Sequence, residues 1–137
     1  MPVRENRQPR FSCIMEIQAR RKPRAIEQRL QLSCVRWFDL QYPKLRLLLH
    51  HSPNGGWRNK VEAAKFKGMG TRAGFPDFIL LVPRGDCPFL GIELKTDNGR
   101  QSAAQKSYQE AFTAIGARYE VVRSIDEFVD IIKSYLK

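Results

Sequence analysis

The sequence lacks any apolar run long enough to cross a membrane. Its longest uninterrupted apolar run is Phe78–Val82, whereas a membrane-spanning helix needs about 18 or more such residues. The basic N-terminus is not followed by the apolar segment of a secretory signal. An integral membrane protein is therefore excluded, and no membrane partner is expected.

Cysteine is also scarce. The three cysteines, Cys13, Cys34 and Cys87, lie far apart, so they form neither a zinc-binding CxxC pattern nor a disulfide framework. We interpret them as ordinary reduced residues of an intracellular protein. On that ground alone the protein is expected in the cytoplasm.

Acidic residues are outnumbered by basic ones. The 137 residues include 24 Lys and Arg against 14 Asp and Glu, a formal net charge of +10. Residues 1–24 carry +5 of this excess and residues 25–137 carry the other +5. We interpret residues 1–24 as a flexible basic arm and residues 25–137 as one folded domain. A polyanionic partner is expected, with nucleic acid favoured over an anionic membrane because no long basic amphipathic helix is visible.

Hydrophobic periodicity and turn signals predict the element order αβ(α)ββαβα. Apolar residues recur at helical spacing from Ala25 to Leu40, and Pro43 ends that helix. This order predicts an α/β domain with a mixed central sheet flanked by helices. The further predicted helices cover residues 59–67, 103–115 and 125–136, and the predicted strands cover residues 45–51, 78–82, 89–95 and 119–122.

Local signals mark the ends of the later helices. Ser102-x-x-Gln105 and Ser124-x-x-Glu127 each match a capping box, and Gly116 suits the residue after a helix end. The apolar set of helix 125–136 is broader than one stripe. Part of it could face a partner, or the whole set could pack on the sheet.

One polar cluster carries chemistry. On a strand, residues two apart face the same side, so Glu93 and Lys95 point together. If the hairpin turns at Gly85, Asp77 falls opposite Glu93, because each is eight residues from the turn. Adjacent carboxylates repel unless one is protonated or a cation binds, and oxygen ligands suit Mg²⁺ or Mn²⁺. In a basic protein the cluster predicts metal-assisted phosphodiester hydrolysis, with Lys95 stabilising the developing charge or positioning the water.

Each of these residues, taken alone, also has a purely structural interpretation. A Glu-x-Lys pair on a strand is commonly a solvated ion pair worth little, and Pro-Asp at a strand start is commonly turn chemistry. Their combination on facing strands, in a chain of +10 charge, favours the functional interpretation.

A series of short motifs surrounds this cluster. Gly74-x-Pro76-Asp77 is followed, sixteen residues after the aspartate, by Glu93-Leu94-Lys95. The flanking motifs are Pro53-Asn54-Gly55-Gly56, Gly70-Thr71-Arg72-Ala73-Gly74 and Ser102-Ala103-Ala104-Gln105-Lys106. With these motifs the chain resembles the VRR-NUC nucleases of the PD-(D/E)xK superfamily, over roughly residues 25–130.

The resemblance implies a restriction-endonuclease-like core and a set of metal ligands. Asp77 and Glu93 would ligate Mg²⁺ or Mn²⁺ with the main-chain carbonyl of Leu94, and Lys95 would be the catalytic lysine. Glu27 matches the family's N-terminal acidic residue and would complete the site. A solvent-facing helical glutamate is an equally open interpretation of Glu27.

Gln105 matches the glutamine that follows the lysine motif in the family. The capping box with Ser102 is an alternative role. One side chain is not expected to serve both roles fully if it must reach the metal-bound water.

Substrate contacts are predicted in the loops beside the site. Asn54, Arg58 and Arg72 could hold backbone phosphates there, and Lys106 is included as a fourth contact. Asn54 has a turn-forming alternative, since Asn-Gly is a favoured turn pair. The adjacent His50 and His51 face opposite ways on a strand, so we predict no role for either.

The resemblance implies a divalent-metal-dependent DNA endonuclease without a small-molecule cofactor. Single-domain relatives suggest a homodimer that acts on branched DNA such as four-way junctions. A small domain has little surface for reading sequence, and shape recognition needs only phosphate contacts. The alternatives are a less selective nuclease for flaps, nicks or single strands, and a non-catalytic basic DNA-binding module.

Overall fold

Four strands form one mixed sheet in the computed structural model, which describes residues 23–53 and 59–137. The strand order is β1-β2-β3-β4. The first two pairs are antiparallel and the β3–β4 pair is parallel, which confirms the predicted mixed sheet. The strands are β1 (Leu49–His51), β2 (Phe78–Leu80), β3 (Leu90–Leu94) and β4 (Arg118–Val122).

Helices cover both faces of this sheet. They are α1 (Pro23–Gln41), α2 (Lys60–Gly68), α3 (Ala103–Ala114) and α4 (Ile125–Tyr135), with a 3-10 helix at Pro43–Leu48. Side chains from α1, α4 and every second residue of the central strands form the main core. Its fully buried members are Cys34, Phe38, Phe78, Leu80, Leu90, Ile92, Leu94, Val122, Phe128 and Ile132.

The opposite face of the sheet is covered by α3. Phe112 packs there against Tyr119, with their ring centroids 5.9 Å apart. Gly91 makes room for this packing, because a Cβ at that position would lie 2.7 Å from the Phe112 ring. The odd-numbered residues of β3 thus face α3, and Glu93 belongs to that set.

The apolar side chains of α4 pack inside the molecule, against the main core. Phe128, Ile132 and Tyr135 are buried, and Ile125, Ile131 and Leu136 pack against the same core. The Tyr135 hydroxyl donates to the Val82 carbonyl at 2.6 Å. The intramolecular interpretation of this helix therefore accounts for its broad apolar set.

Some predicted boundaries are wrong. Residues 45–48, predicted as the first part of a strand, belong instead to the 3-10 helix Pro43–Leu48, because the fixed φ of Pro43 suits a first helical turn. The predicted strands 78–82 and 89–95 shorten to Phe78–Leu80 and Leu90–Leu94. Of the predicted arm, residues 1–22 lie outside the described residues, and α1 begins at Pro23.

The predicted capping box at Ser124 forms in one direction. The Ser124 hydroxyl accepts from the Glu127 N–H at 3.2 Å. The Glu127 carboxylate, however, accepts from the Arg123 N–H at 2.7 Å, so the reciprocal half of the prediction is wrong. In the parts of the chain described, no helix combines the length and apolar character needed to cross a membrane.

Candidate active site

The β2–β3 hairpin sets the position of the two carboxylates. Phe78 pairs with Ile92, so one residue further along the hairpin Asp77 stands opposite Glu93, as predicted. The Leu94 N–H donates to Asp77 Oδ2 at 2.8 Å. This bond fixes the aspartate against the end of β3.

A cavity of about 330 Å³ opens at this end of the sheet. Its lining includes residues from α1, the β2–β3 hairpin and the first turn of α3. Leu94 also borders it, and since its side chain is buried in the core, the main chain is the part that faces the cavity. The structure therefore brings together all five residues predicted to be catalytic: Glu27, Asp77, Glu93, Lys95 and Gln105.

Glu93 is the most buried charged residue of the site, with 3% of its surface exposed. Its Oε1 accepts from Gln105 Nε2 at 2.6 Å and lies 3.3 Å from Lys95 Nζ. Its Oε2 is also buried but has no hydrogen-bond partner among the described residues. Such an oxygen is costly unless a further ligand satisfies it.

The pKa values of both carboxyls respond to this burial. Desolvation, with repulsion by Asp77 added to it, raises the pKa of Glu93 to about 7, and the nearby Lys95 opposes the rise. Desolvation also raises the pKa of Asp77, against the Leu94 N–H and the charges of His51 and Lys95. The pair therefore resists double ionisation until positive charge is added.

These groups fit a divalent cation. No residue in the described part of the chain donates a hydrogen bond to the buried Oε2 of Glu93, and hard oxygen donors are what Mg²⁺ and Mn²⁺ prefer. Asp77, Glu93 and the main chain of Leu94 would hold such an ion. Within residues 23–53 and 59–137, no group of three or more His, Cys, Asp or Glu side chains is arranged to hold a metal. Glu27 thus borders the cavity without joining the other two carboxylates, and its part in metal binding stays a prediction.

Gln105 makes two contacts at once, the cap of α3 and a hydrogen bond to Glu93. Its Oε1 accepts from the Ser102 N–H at 2.8 Å and completes the capping box of α3. Its Nε2 donates to Glu93. A side-chain amide can make both contacts because it has an acceptor at one atom and donors at the other. The role of Gln105 toward a metal-bound water stays a prediction.

The loop before Asp77 packs directly on the first turn of α3. Gly74 has a φ of +86°, and a Cβ there would lie 2.5 Å from the carbonyl carbon of Ala104. Both the backbone conformation and the space require glycine. The loop that leads to Asp77 is thereby held against the helix that carries Gln105.

His51 belongs to the site although no role was predicted for it. Its Nδ1 lies 2.7 Å from the Asp77 carbonyl oxygen; since a carbonyl only accepts, this nitrogen donates. His51 borders the cavity, whereas His50 is exposed, which confirms that the two face opposite ways. Strand parity allowed at most one of the two histidines to face the site and did not indicate which carbonyl it would contact.

No role for Arg123 was predicted from the sequence. Its Nη1 donates to the carbonyl oxygens of Thr96 at 2.6 Å and Gly99 at 2.7 Å, with a longer contact of 3.4 Å to Asp97. This guanidinium therefore pins the loop that follows Lys95. The arginine comes directly after β4, and the parallel pairing of β4 with β3 places it beside that loop.

The predicted substrate contacts lie at varied positions. Asn54 and Arg58 fall outside the described residues. Arg72 is exposed and precedes Ala73, which lines the cavity, although Arg72 itself does not. Lys106 is exposed and borders a separate depression on α3. Neither Arg72 nor Lys106 lines the cavity, and the roles of all four residues stay predictions.

Comparison with known proteins assigns the chain to a recognised group. A family model described as the VRR-NUC domain matches residues 10–126. A solved structure described as a VRR_NUC domain protein is 35% identical, with a TM-score of 0.71, over 81% of this chain and 88% of that chain. A second, described as a VRR_NUC domain, is 23% identical with a TM-score of 0.51, over 80% and 97%, and supports the fold alone. Among curated proteins, none matches.

Proposed function

The chain belongs to the VRR-NUC family, and from that premise we propose that it is a divalent-metal-dependent endonuclease selective for branched DNA such as four-way junctions. Membership of the family makes it a nuclease with DNA as its substrate. The observation that carries the proposal further is the buried, unpartnered Oε2 of Glu93 beside Asp77. A pair of this kind at the floor of a cavity is suited to a cation and a phosphodiester.

The residues of the chain divide the work of hydrolysis. When bound, a divalent cation supplies polarisation of a phosphodiester oxygen and a lowered pKa for an attacking water. Asp77 and Glu93 would hold it, with Asp77 kept in place by the Leu94 N–H. Gln105 and Lys95 both engage Oε1 of Glu93, which leaves Oε2 free for the cation. Lys95 also places a positive charge where negative charge develops on phosphorus.

A panel of labelled substrates tests the activity. Linear duplex, flap, nicked duplex and four-way junction are incubated with the protein in Mg²⁺, in Mn²⁺ and in EDTA. We expect cleavage with either metal, none in EDTA, and the fastest cleavage of the junction. The Asp77→Asn variant is the matched control for a contaminating nuclease. Equal cleavage by that variant, or cleavage in EDTA, would refute the metal-dependent site.

The proposal includes a homodimer, because two related sites are needed to cut opposing strands of a junction. A C₂ dimer repeats one site in opposite orientation. Large apolar side chains are exposed on α1 at Leu32 and Leu40, 71% and 74% exposed, and on the 3-10 helix at Leu47. We propose these side chains as the candidates for a self-association surface outside α4, which requires that they form one contiguous patch.

Sedimentation and subunit mixing test the dimer. The protein should sediment as a dimer at micromolar concentration and cut opposing strands of a junction in paired fashion. Mixing wild-type with Asp77→Asn subunits should give singly nicked junctions. A monomer that cuts linear duplex as readily as junctions would leave only the less selective nuclease.

A further inference from the structure

Helix α2 differs from the other α-helices in how little of it is buried. None of its nine residues is buried, and Val61 is 81% exposed. Isolated helices shorter than about 12 residues are marginal in water, and helices of folded proteins normally gain stability from packing. A short helix displayed in this way is suited to contact with something outside the domain.

Local hydrogen bonds close both ends of α2. The Asn59 side chain accepts from the Glu62 N–H at 2.7 Å. At the other end the Met69 N–H donates to the Lys65 carbonyl at 3.0 Å, and the Gly70 N–H donates to the Lys67 carbonyl at 3.2 Å. The helix is therefore formed by its own caps while its surface stays available.

One face of α2 carries two lysines around two alanines. Lys60, Ala63, Ala64 and Lys67 are spaced i, i+3, i+4, i+7, so they share a face, and all four are exposed. The two lysines are about 10.5 Å apart along the helix axis, at 1.5 Å per residue. Among the described residues neither lysine has an ion pair or a hydrogen bond through its side chain. We name these four residues the lysine stripe.

The lysine stripe lies close to the cavity lining along the chain. Ala73 and Gly74 line the cavity, and Gly68 ends α2 only five residues before Ala73. Five residues of chain span at most about 18 Å. The end of α2 is therefore within about one DNA diameter of the cavity lining.

We propose that the lysine stripe docks on the phosphate backbone of the DNA whose cleaved phosphodiester enters the cavity. Lysines neutralise phosphates and release their counterions, and the two alanines let the helix backbone approach the DNA closely. This inference rests on the proposed function and adds a DNA contact beyond the loop residues predicted from the sequence. A second copy of the chain is the less suitable occupant, since a chain of +10 net charge would bring further positive charge against the stripe.

Salt-dependent binding tests this docking surface without any need for cleavage. A fluorescent four-way junction is titrated in EDTA with wild-type protein, with Lys60→Gln/Lys67→Gln, and with Lys44→Gln/Lys133→Gln, at several KCl concentrations. The control pair is exposed, removes the same charge and borders none of the cavity. Fluorescence anisotropy gives Kd, and the slope of log Kd against log [KCl] counts the phosphates neutralised.

The stripe variant should lower that slope by about 1.8, at roughly 0.9 for each lost phosphate contact. If the two proteins bind equally in 1 M KCl, this difference in slope corresponds to about 60-fold weaker binding of the variant than of wild type in 0.1 M KCl. The control pair should change Kd less than about threefold and leave the slope nearly unchanged. Equal effects of the two variants would show that only net charge matters and would overturn the proposal.

A contact between copies predicts a different result. In that case the stripe variant would change the sedimentation coefficient of the free protein and leave the slope at the wild-type value, which also overturns the proposal. Failure of the proposed function is seen separately, as the absence of metal-dependent cleavage by wild-type protein. The binding measurement in EDTA is unaffected by that outcome.

Discussion

The floor of the cavity and helix α2 lie close together in the chain but are built in opposite ways. On the floor, Glu93 is 3% exposed and is held by Gln105 and Lys95, while Asp77 is held by the Leu94 N–H. On α2 no residue is buried. The floor therefore depends on the folded core for its geometry, whereas α2 contributes little to that core.

This difference indicates a division between chemistry and docking. Residues fixed by buried hydrogen bonds are suited to act on a phosphodiester, because their geometry is set before substrate arrives. Residues on an exposed helix are suited to attract DNA, since their charges stay hydrated until phosphates replace the water. Substitutions on the floor should change turnover or stability, and substitutions on α2 should change affinity.

The largest effect is expected from Asp77→Asn. The variant should cleave at least about a thousandfold more slowly than wild type. A bound metal stabilises the transition state by several kcal/mol, and each 1.36 kcal/mol changes the rate tenfold. DNA affinity in EDTA should be equal or tighter, because a negative charge near the phosphate is removed. Single-turnover cleavage and anisotropy measure the two quantities. Unchanged cleavage would remove Asp77 from the metal site.

The second-largest effect is expected from Lys95→Ala, which should lose roughly 2–4 kcal/mol of transition-state stabilisation. Its ammonium lies 3.3 Å from Glu93 Oε1 and its side chain is only 13% exposed. The single-turnover rate at saturating protein should therefore fall while Kd changes modestly. Should binding fall in step with the rate, Lys95 belongs with the docking surface and not with the floor.

The pH dependence of stability sharpens the contrast. Burial holds the pKa of Glu93 near 7 against a usual 4.5, so the folded chain keeps this proton longer than the unfolded chain. The resulting stabilisation is complete below pH 4.5 and is lost as the pH rises to about 7. Ionisation of Glu93 should thus lower the free energy of unfolding of the metal-free protein by up to about 3 kcal/mol between pH 4.5 and 7.

Urea denaturation in EDTA at pH 5 and pH 8 measures this cost. Glu93→Gln should flatten the pH dependence, because the titrating group next to Asp77 and Lys95 is gone. Mg²⁺ should raise the stability of wild-type protein more at pH 8 than at pH 5, since the cation binds the ionised pair. An equal increase at both values would contradict the metal site.

Gln105 allows the two contacts of one side chain to be separated. Gln105→Ala removes the cap and the bond to Glu93 and should cost about 1–3 kcal/mol of stability. Gln105→Glu keeps an acceptor for the Ser102 N–H but adds a carboxylate beside Glu93. It should therefore lose less stability while moving the pH for half-maximal cleavage upward. A pH profile identical to wild type would show that the amide contributes capping alone.

The smallest effect on the floor is expected from deletion of residues 1–22, which carry six cationic and two anionic side chains. The truncation leaves α1 whole. The salt slope of DNA binding should become shallower, and the single-turnover rate at saturating protein should stay within about twofold of wild type. A lost rate with folding intact would place part of this segment in the active site.

The features predicted correctly from the sequence depend on local rules. Side-chain parity and the turn at Gly85 were enough to place Asp77 opposite Glu93, and the register of β2 with β3 confirms it. Ser102 and Gln105 lie within one helical turn, so their capping box was also predictable. The mixed sheet followed from the order of elements.

The features that were missed depend on long-range contacts or on competition between local signals. Arg123 contacts the loop at residues 96–99, and nothing in its own neighbourhood indicates three carbonyl partners. His51 reaches the carbonyl of a residue 26 positions later. At residues 45–48 the apolar run indicated a strand, but the start imposed by Pro43 produced a 3-10 helix.

The close approach at Gly74 has a consequence for motion. Backbone atoms of the loop and of α3 touch there without an intervening side chain, so neither can shift without carrying the other. Asp77, Gln105 and Glu93 should consequently move as one rigid body on the timescale of substrate exchange. Any hinge that adjusts the domain to a bent or branched duplex is to be sought before residue 74, where Gly70, with a φ of +103° and open space around it, leaves the backbone room to turn.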